Sequence, residues 1–258
     1  VTPQTKLVTI QRSKGYATRP TFSVQQIGEL ISFIKSIRSD IICMVDNCYG
    51  EFVEMQEPSD VGADMVVGSL IKNPGGGLAP IGGYICGTQA LSPDAPTGSP
   101  PRDWAGVGAN LGLMPQLYQG FFLSPTVVAG AEKGAIFAAS LYEPLGFRCV
   151  PGAAEAGTTS SKLWSWAAGG HGRLLPGNSG RRPVDSFATP MPWDMPGYES
   201  KVIMAPVLSY KVLPSSFLPT ANPPAYAVYF QGGLTWYHAK LGILMSLQKL
   251  CDAGLVQL

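Results

Sequence analysis

Two charged side chains in this sequence stand directly after apolar runs. Asp46 closes Ile41-Ile-Cys-Met-Val45, and Lys72 follows Val66-Val-Gly-Ser-Leu-Ile71. In open α/β sheets the ligand sits outside the carboxyl ends of the strands, so polar groups just past apolar runs are the ones to weigh. A primary amine and a carboxylate at neighbouring strand ends match the needs of pyridoxal 5'-phosphate. The lysine forms a Schiff base with the aldehyde, and the aspartate keeps the pyridine nitrogen protonated so that the ring accepts the electrons of a substrate carbanion. Tyr49, three residues past Asp46, is expected to bring its hydroxyl to the cofactor's phenolic oxygen, and Ser69, three before Lys72, to bind the phosphate. Asn73-Pro-Gly-Gly-Gly77 supplies backbone freedom beside the lysine and N–H groups suited to an anion. The expected catalytic residues are therefore Lys72, Asp46 and Tyr49, and the expected cofactor contacts are Lys72, Asp46, Ser69, Tyr49 and Asn73. Taken singly, each is more often a turn, cap, core or surface residue. The joint pattern reverses those odds, and glycines that follow the lysine instead of preceding it exclude a nucleotide P-loop.

The elements that position these residues read as α/β. Lys6–Ile10 is a β-branched run, Phe22–Ile37 has helical spacing, and 41–45 and 63–70 are continuous apolar runs of strand length. Such strands separated by helices predict a mainly parallel sheet covered on both faces. A strand over 80–86 and a long helix over 125–145 follow. After Pro151 the texture changes, with strands over 202–205 and 225–230 and a closing helix over 235–250, which fits a smaller α+β domain. The expected division is a partial cofactor-binding large domain over 1–125 and a small C-terminal domain with its connecting helix over 126–258.

Of 258 residues, 18 are Lys or Arg and 17 are Asp or Glu, so no net field draws nucleic acid or an anionic membrane. Mean hydropathy is +0.13, yet Glu132 and Lys133 break the most apolar stretch before it reaches membrane-spanning length. Five cysteines without a C-x-x-C pair point to a reducing compartment and a cytoplasmic protein. No metal-ligand spacing is present. Gly177-Asn-Ser-Gly180 with His171 imitates a serine protease, but nothing around it is patterned to hold a triad. His238, Cys43, Cys48 and Cys86 read as surface or buried residues, and Arg12, Lys14, Tyr16 and Arg19 stay open between substrate or subunit contact and a solvated loop.

Val45-Asp-Asn-Cys-Tyr-Gly-Glu-Phe-Val-Glu54, Gly62-Ala-Asp64, Gly68-Ser-Leu-Ile-Lys-Asn-Pro-Gly-Gly-Gly77 and Gly82-Gly-Tyr-Ile85 resemble the aluminium-resistance, or methionine gamma-lyase-like, branch of the pyridoxal-phosphate enzymes. So do Gln11-Arg-Ser-Lys-Gly-Tyr16, Leu117-Tyr-Gln-Gly120, Pro183-Val-Asp-Ser186, Pro192-Trp-Asp-Met-Pro-Gly197 and Gln231-Gly-Gly-Leu-Thr235. The resemblance implies the aspartate aminotransferase-like fold (fold type I, cystathionine beta-lyase-like). It also implies a homodimer or homotetramer, an amino-acid substrate, and carbon–sulfur lyase activity on sulfur amino acids. It carries the Schiff base to Lys72 and the pyridine contact to Asp46. Related gamma-lyases have Thr where Ile71 stands, and family members carry a preceding segment with a Gly-rich phosphate cup, so a chain starting at Val1 reads as a fragment. Two rivals remain: a catalytically inactive relic, which would be colourless on purification, and an aminotransferase, which would convert the cofactor to its amine form instead of releasing ammonia and thiol.

Three stretches, 92–106, 157–182 and 206–224, are rich in Pro, Gly and Ser and lack periodicity. Codon choice permits 94–106, 158–166 and 207–220, read one base earlier, to encode family-like segments, while 169–182 permits it only in the other shifted frame; Thr158–Trp166, for instance, permits D-D-L-I-Q-A-V-E-L, an amphipathic helix. The expectation is frame-shifted translation. Sequencing the encoding DNA should find a single-base change flanking each stretch, and an uninterrupted frame shared with homologous genes contradicts it.

Overall fold

The computed structural model describes residues 1–14, 19–88, 91, 112–155, 162–166, 191–195, 198–205, 218–219, 226–230, 235–252, 254 and 256–258, with the strands beyond residue 160 described by backbone alone. The chain divides into two compact units. The first contains Val1–Lys14 and Thr21–Thr126, and the second contains Gly15–Pro20 and Val127–Leu258.

In the first unit, the β-branched and apolar runs become β1 (Leu7–Gln11), β2 (Ile42–Asp46) and β3 (Met65–Ser69), followed by β4 (Gly83–Gly87). The order is β1-β2-β3-β4; the first three are parallel and β4 runs antiparallel to β3. The sheet is thus mainly parallel, as expected; the connection through 70–82 holds a single short 3-10 turn (Asn73–Gly75) and no crossover helix, and β4 returns antiparallel beside β3. Cys86 is exposed on this last strand, not buried. Helix α1 (Val24–Ile37) links β1 to β2 and places Val24, Ile27, Ile31 and Ile34 on one buried face. That face packs with Ile10, Ile41, Cys43, Val45, Ala63 and Val66 in one apolar cluster. The helix starts at a capping box, in which Ser23 Oγ accepts the Gln26 N–H at 3.2 Å and Gln26 Oε1 accepts the Ser23 N–H at 2.9 Å. Lys35 pairs with Asp64 at 2.6 Å, and the same carboxylate oxygen accepts the Cys43 N–H at 2.8 Å, which fixes the entrance of β2.

Helix α2 (Met114–Tyr142) begins well before the expected start at Pro125. Proline favours the first helical turn and disrupts an interior, which is why sequence places a boundary there. Here the preceding turn is held by its own contacts: Ser124 Oγ donates to the Gly120 carbonyl at 2.7 Å and approaches the Pro74 carbonyl at 2.6 Å. Phe121 meets Phe52 edge-on at 5.6 Å between ring centroids.

In the second unit, β5 (Arg148–Val150), β6 (Lys162–Trp166), β9 (Leu218–Pro219) and β10 (Tyr226–Phe230) form one sheet in the order β5-β6-β10-β9. β7 (Met191–Met195) and β8 (Tyr198–Ala205) form an antiparallel ribbon. β6 and β9 lie inside stretches read as aperiodic. β6 is a strand because β5 and β10 pair on its two sides, a non-local cause that a five-residue window does not display. The remainder of those two stretches, and 92–106 entirely, lie outside the described residues, as do Tyr16, His171, Gly177–Gly180 and Pro183–Ser186. The closing helix α3 (Trp236–Asp252) packs on the later half of α2, joining Ala138, Ala139 and Tyr142 to Ala239, Ile243, Leu247 and Leu250. Gly134 makes that approach feasible, since a Cβ there would stand 2.8 Å from the Ala239 Cβ. The buried Tyr142 hydroxyl donates to Ser246 Oγ at 2.9 Å.

Arg12, at the end of β1, has no solvent exposure. Its guanidinium donates to Asn47 Oδ1 at 2.9 Å, to the Gly50 carbonyl at 2.9 Å and to Glu54 Oε1 at 2.6 Å, and it stands 3.7 Å from Glu57 Oε2. Ser13 and Lys14 are buried too, so this segment is not a solvated loop. We expect Arg12→Met to lower stability in urea unfolding by about 2–3 kcal/mol, because the donors to four acceptors are lost while Glu54 and Glu57 keep partial access to water. Arg12→Lys should restore only part, since an ammonium lacks the planar fork; full restoration by lysine would contradict the account.

Candidate functional site

The parallel strands bring their carboxyl ends together at one edge of the sheet. Gln11, Asp46 and Val67 are in register across β1, β2 and β3. Side chains alternate along a strand, and Cys43 and Val45 are fully buried against α1, so Asp46 belongs to the opposite face, which is only partly covered. Asp46 Oδ1 accepts the Cys48 N–H at 3.0 Å, which starts the turn out of β2.

The turn is sharp. Tyr49 and Phe52 both adopt left-handed backbone, with φ of 69° and 63°. Such angles are costly for side-chain-bearing residues and persist only when the surroundings impose them. Arg12 imposes them from below through Asn47 and the Gly50 carbonyl, and Glu57 from the far end, accepting the Asn47 amide and the Phe52 N–H at 2.9 Å each. Gly50 is required here because any Cβ would stand 2.5 Å from the Arg12 side chain.

Lys72 approaches from β3. After Ser69 the chain turns tightly, with the Lys72 N–H on the Ser69 carbonyl at 3.3 Å and the Leu70 N–H on the Gly82 carbonyl at 2.9 Å. The Lys72 ammonium lies 4.3 Å from the centroid of the Tyr49 ring, a cation–π contact. Cys48 interacts with both Asp46 and Lys72, so its thiol sits in the group that joins the two. Burial pulls the Lys72 ammonium down, but Tyr49, Cys48 and Asp46 more than offset it and leave Lys72 above its ordinary value. Burial, then the contact with Asp46, pushes the Cys48 thiol up to about 11, so it remains neutral near pH 7. Lys72 and Asp46, chosen for their places after apolar runs, are thus brought into one electrostatic group.

The other sequence-chosen residues stand around the same two turns. Tyr49 turns the face of its ring toward Lys72. Ser69 Oγ is 3.4 Å from the Gly82 carbonyl, a long contact within its own turn. Asn73 is buried and gives its side-chain amide to the Glu51 carbonyl at 3.0 Å, tying the lysine's neighbour to the turn that carries Tyr49. The glycines that follow serve close packing and not an anion cradle at Gly75 and Gly76, whose N–H groups are taken by the Lys72 and Asn73 carbonyls at 3.0 and 3.1 Å. A Cβ on Gly76 would stand 2.1 Å from the Gly120 carbonyl, and one on Gly120 2.2 Å from the Gly75 carbonyl. The triplet and the Leu117–Gly120 motif are therefore two halves of one backbone-to-backbone contact.

Glu51 escaped the sequence reading. It is 4% exposed, and its Oε1 accepts the Tyr84 hydroxyl at 2.8 Å. Burial pushes this carboxyl group up to about 7, against the opposing pull of its own main chain, of Tyr84 and of Lys72. Its place in the run Tyr-Gly-Glu-Phe carries no periodic signal, and only the buried Asn47 and Asn73 and the half-buried Tyr84 around it mark it. Among the described residues no group of three His, Cys, Asp or Glu side chains gathers at metal-binding range, and no helix is long and apolar enough to cross a membrane.

Comparison with known proteins places this geometry. The chain is 41% identical over 262 residues to the uncharacterized protein YnbB of Bacillus subtilis, covering 99% of this chain and 62% of that one. It superposes, at a TM-score of 0.80 and 38% identity, on a Listeria monocytogenes protein whose name proposes a cystathionine beta-lyase involved in aluminium resistance, covering 96% of this chain and 62% of that one. The chain thus spans somewhat under two thirds of the length of these relatives. At 14% identity the fold still recurs, with a TM-score of 0.58 over 96% of this chain and 64% of the other, in CalE6, a methionine gamma lyase from Micromonospora echinospora. The mixed α/β architecture is accordingly shared with that enzyme class, and since the family model for methionine gamma-lyase matches residues 1–251, the chain belongs to the methionine gamma-lyase family.

Proposed function

We propose that this chain carries the lysine half of a pyridoxal-phosphate-dependent carbon–sulfur lyase acting on sulfur amino acids. The observation that supports it most is the pairing of Lys72 with Asp46 at the carboxyl ends of adjacent parallel strands, the amine lying on the Tyr49 ring at 4.3 Å. The donor set fits the cofactor. A half-buried primary amine is held by side chains and not by a salt bridge, and the carboxylate stands on the partly covered face of the sheet.

Pyridoxal phosphate, when bound, supplies a sink for the negative charge that develops at the substrate's α-carbon. Lys72 Nζ would hold the cofactor covalently and, once released, move the proton at the substrate's α-carbon. Asp46 would keep a proton on the ring nitrogen. Tyr49, fixed in left-handed backbone, would restrict where the amine points, which makes the geometry ready before reaction. Ser69, in the turn between the strand and the lysine, would contribute to the phosphate contacts, and Asn73 would hold the lysine's turn against the Tyr49 turn. On this reading the first unit is the cofactor-binding large domain and the second the small domain. Family membership supports an amino-acid substrate, a homodimer or homotetramer, and work in the cytoplasm.

Lys72→Ala should remove cofactor attachment while leaving the fold intact, because a loop lysine contributes little packing. Treating wild type with pyridoxal phosphate and borohydride should fix one cofactor mass on the peptide containing Lys72, and the variant should show none with an unchanged circular dichroism spectrum. Fixation at another lysine in both proteins would sink the assignment.

Asp46→Asn should behave in a different way. An asparagine oxygen can still accept the Cys48 N–H, so the turn survives and attachment at Lys72 should persist. Release of ammonia and thiol from a sulfur amino acid should fall by about 10³-fold or more with little change in KM, the signature of stabilisation lost in the transition state alone. Unchanged turnover would show that another group serves the ring nitrogen.

A further inference from the structure

One face of the early part of α2 is apolar and uncovered. Met114, Tyr118, Phe121, Phe122 and Pro125 recur at the spacing that puts side chains on one stripe of a helix, and all five are exposed. Exposure reaches 69% at Tyr118, 55% at Phe121 and 83% at Phe122. Large apolar side chains exposed singly need no explanation, but a contiguous group of rings marks a surface made to be covered. The stripe is not the one that holds the helix in place. Gly120, Ser124 and Val128 are buried on the adjoining face, where Gly120 and Ser124 meet the turn after Lys72.

Three properties of the stripe select its occupant. It lies in an uncharged stretch, since the sequence from Trp104 to Ala131 holds no Asp, Glu, Lys or Arg. A two-fold interface sets a patch against its own copy, so any charge there would face its like, and an uncharged patch avoids that cost. The same lack of Lys and Arg argues against an anionic membrane, which basic side chains recognise. The area suits a second protein surface. At about 200 Å² for a whole aromatic side chain, the three rings expose roughly 400 Å², half of the about 800 Å² that each partner gives to a stable interface. Exposed Gln116 and Gln119 flank the rings as a polar rim. The shape is a helix ridge, because Met114, Tyr118 and Phe122 stand four residues apart, the row that the commonest helix packing sets beside the equivalent row of another helix.

We propose that this stripe of α2 is the face through which two copies of the chain pair about a two-fold axis, with Tyr118 and Phe122 at its centre. The proposal deepens the homo-oligomer of the preceding reading by naming its surface, and it rests on that oligomer. The place of the stripe ties pairing to the site. Phe121 meets Phe52 edge-on in the turn that carries Tyr49, and Gly120 is packed against Gly75 and Gly76 just past Lys72. A second copy seated on the stripe presses on the helix that backs both turns.

Analytical ultracentrifugation of the full chain reads this directly. Wild type should sediment at a multiple of the 27.3 kDa monomer. The double variant Tyr118→Glu/Phe122→Glu, which sets like charges against each other across the axis, should raise the dissociation constant by about a hundredfold or more and run at half the wild-type mass, with an unchanged circular dichroism spectrum. Phe122→Ser, which adds no charge, keeps the test open should the double variant fail to fold, and should raise the constant by about tenfold or more. Phe33→Glu, at an exposed ring of α1, is the control and should leave the mass as it is. Variants at 118 and 122 that keep the wild-type mass, or an equal loss of mass from Phe33→Glu, would overturn the surface and leave the oligomer. A wild type that is monomeric at every concentration would overturn both, and one that floats as a monomer with anionic phospholipid vesicles would give the stripe to a membrane instead. Borohydride fixation of pyridoxal phosphate at Lys72 is read separately, so failure of the interface and failure of the lyase assignment are told apart.

Discussion

The Arg12 guanidinium is the interaction on which the rest of the first unit depends. It is a fixed charge removed from solvent at the end of β1, and a buried charge is tolerated only when acceptors surround it. Those acceptors come from a single stretch of chain, residues 47–57. Supplying them forces the backbone after β2 into a turn with two left-handed residues, Tyr49 and Phe52. The Tyr49 ring then stands where the lysine arrives from β3. One electrostatic requirement at the first strand thus fixes an aromatic platform at the second and the direction of an amine at the third. The Glu54 carboxylate extends the arrangement to α1, accepting the Val24 N–H at 3.0 Å where the helix dipole is positive.

A second constraint meets it from the other side. The lysine's turn is pressed against the early part of α2 so closely that Gly75, Gly76 and Gly120 admit no side chains. Ser124 reinforces the contact by bonding the helix at a place where Pro125 removes a backbone donor. Lys72 is therefore set between two backbone clamps, one through Asn73 to the Tyr49 turn and one through the glycines to α2. A long, flexible side chain loses rotamer entropy when it is held, and the rigid flanks confine that loss to the side chain itself.

How much of this was readable follows from the range of the causes. The apolar runs that become β1, β2 and β3, the amphipathic face of α1 and the closing helix are local patterns, and they appear where periodicity puts them. The placement of Asp46 and Lys72 near the ends of neighbouring strands was legible because both follow apolar runs. The burial of Arg12 was not: a run of Gln-Arg-Ser-Lys leaves a solvated loop and a substrate or subunit contact equally open, and the carboxylates that enclose it lie about forty residues further on. The glycine triplet was legible as special, but it was read as backbone freedom and anion-suited N–H groups, because its partner, Gly120, lies across a contact that no spacing rule reports. β6 and the early start of α2 have the same kind of cause, pairing or packing with segments distant in sequence.

Glu51 shows what such distant causes can conceal. A glutamate two residues past a tyrosine in a polar turn has the profile of a surface residue, and nothing local separates it from Glu54 and Glu57, which keep a share of water. The difference arises from Tyr84 on an antiparallel strand and Asn73 in the lysine's turn, both converging on the same residue. With its carboxyl group buried and its main chain anchored, Glu51 cannot swing toward water to relieve its charge. Its choice is between taking a proton and leaning on the field of Lys72.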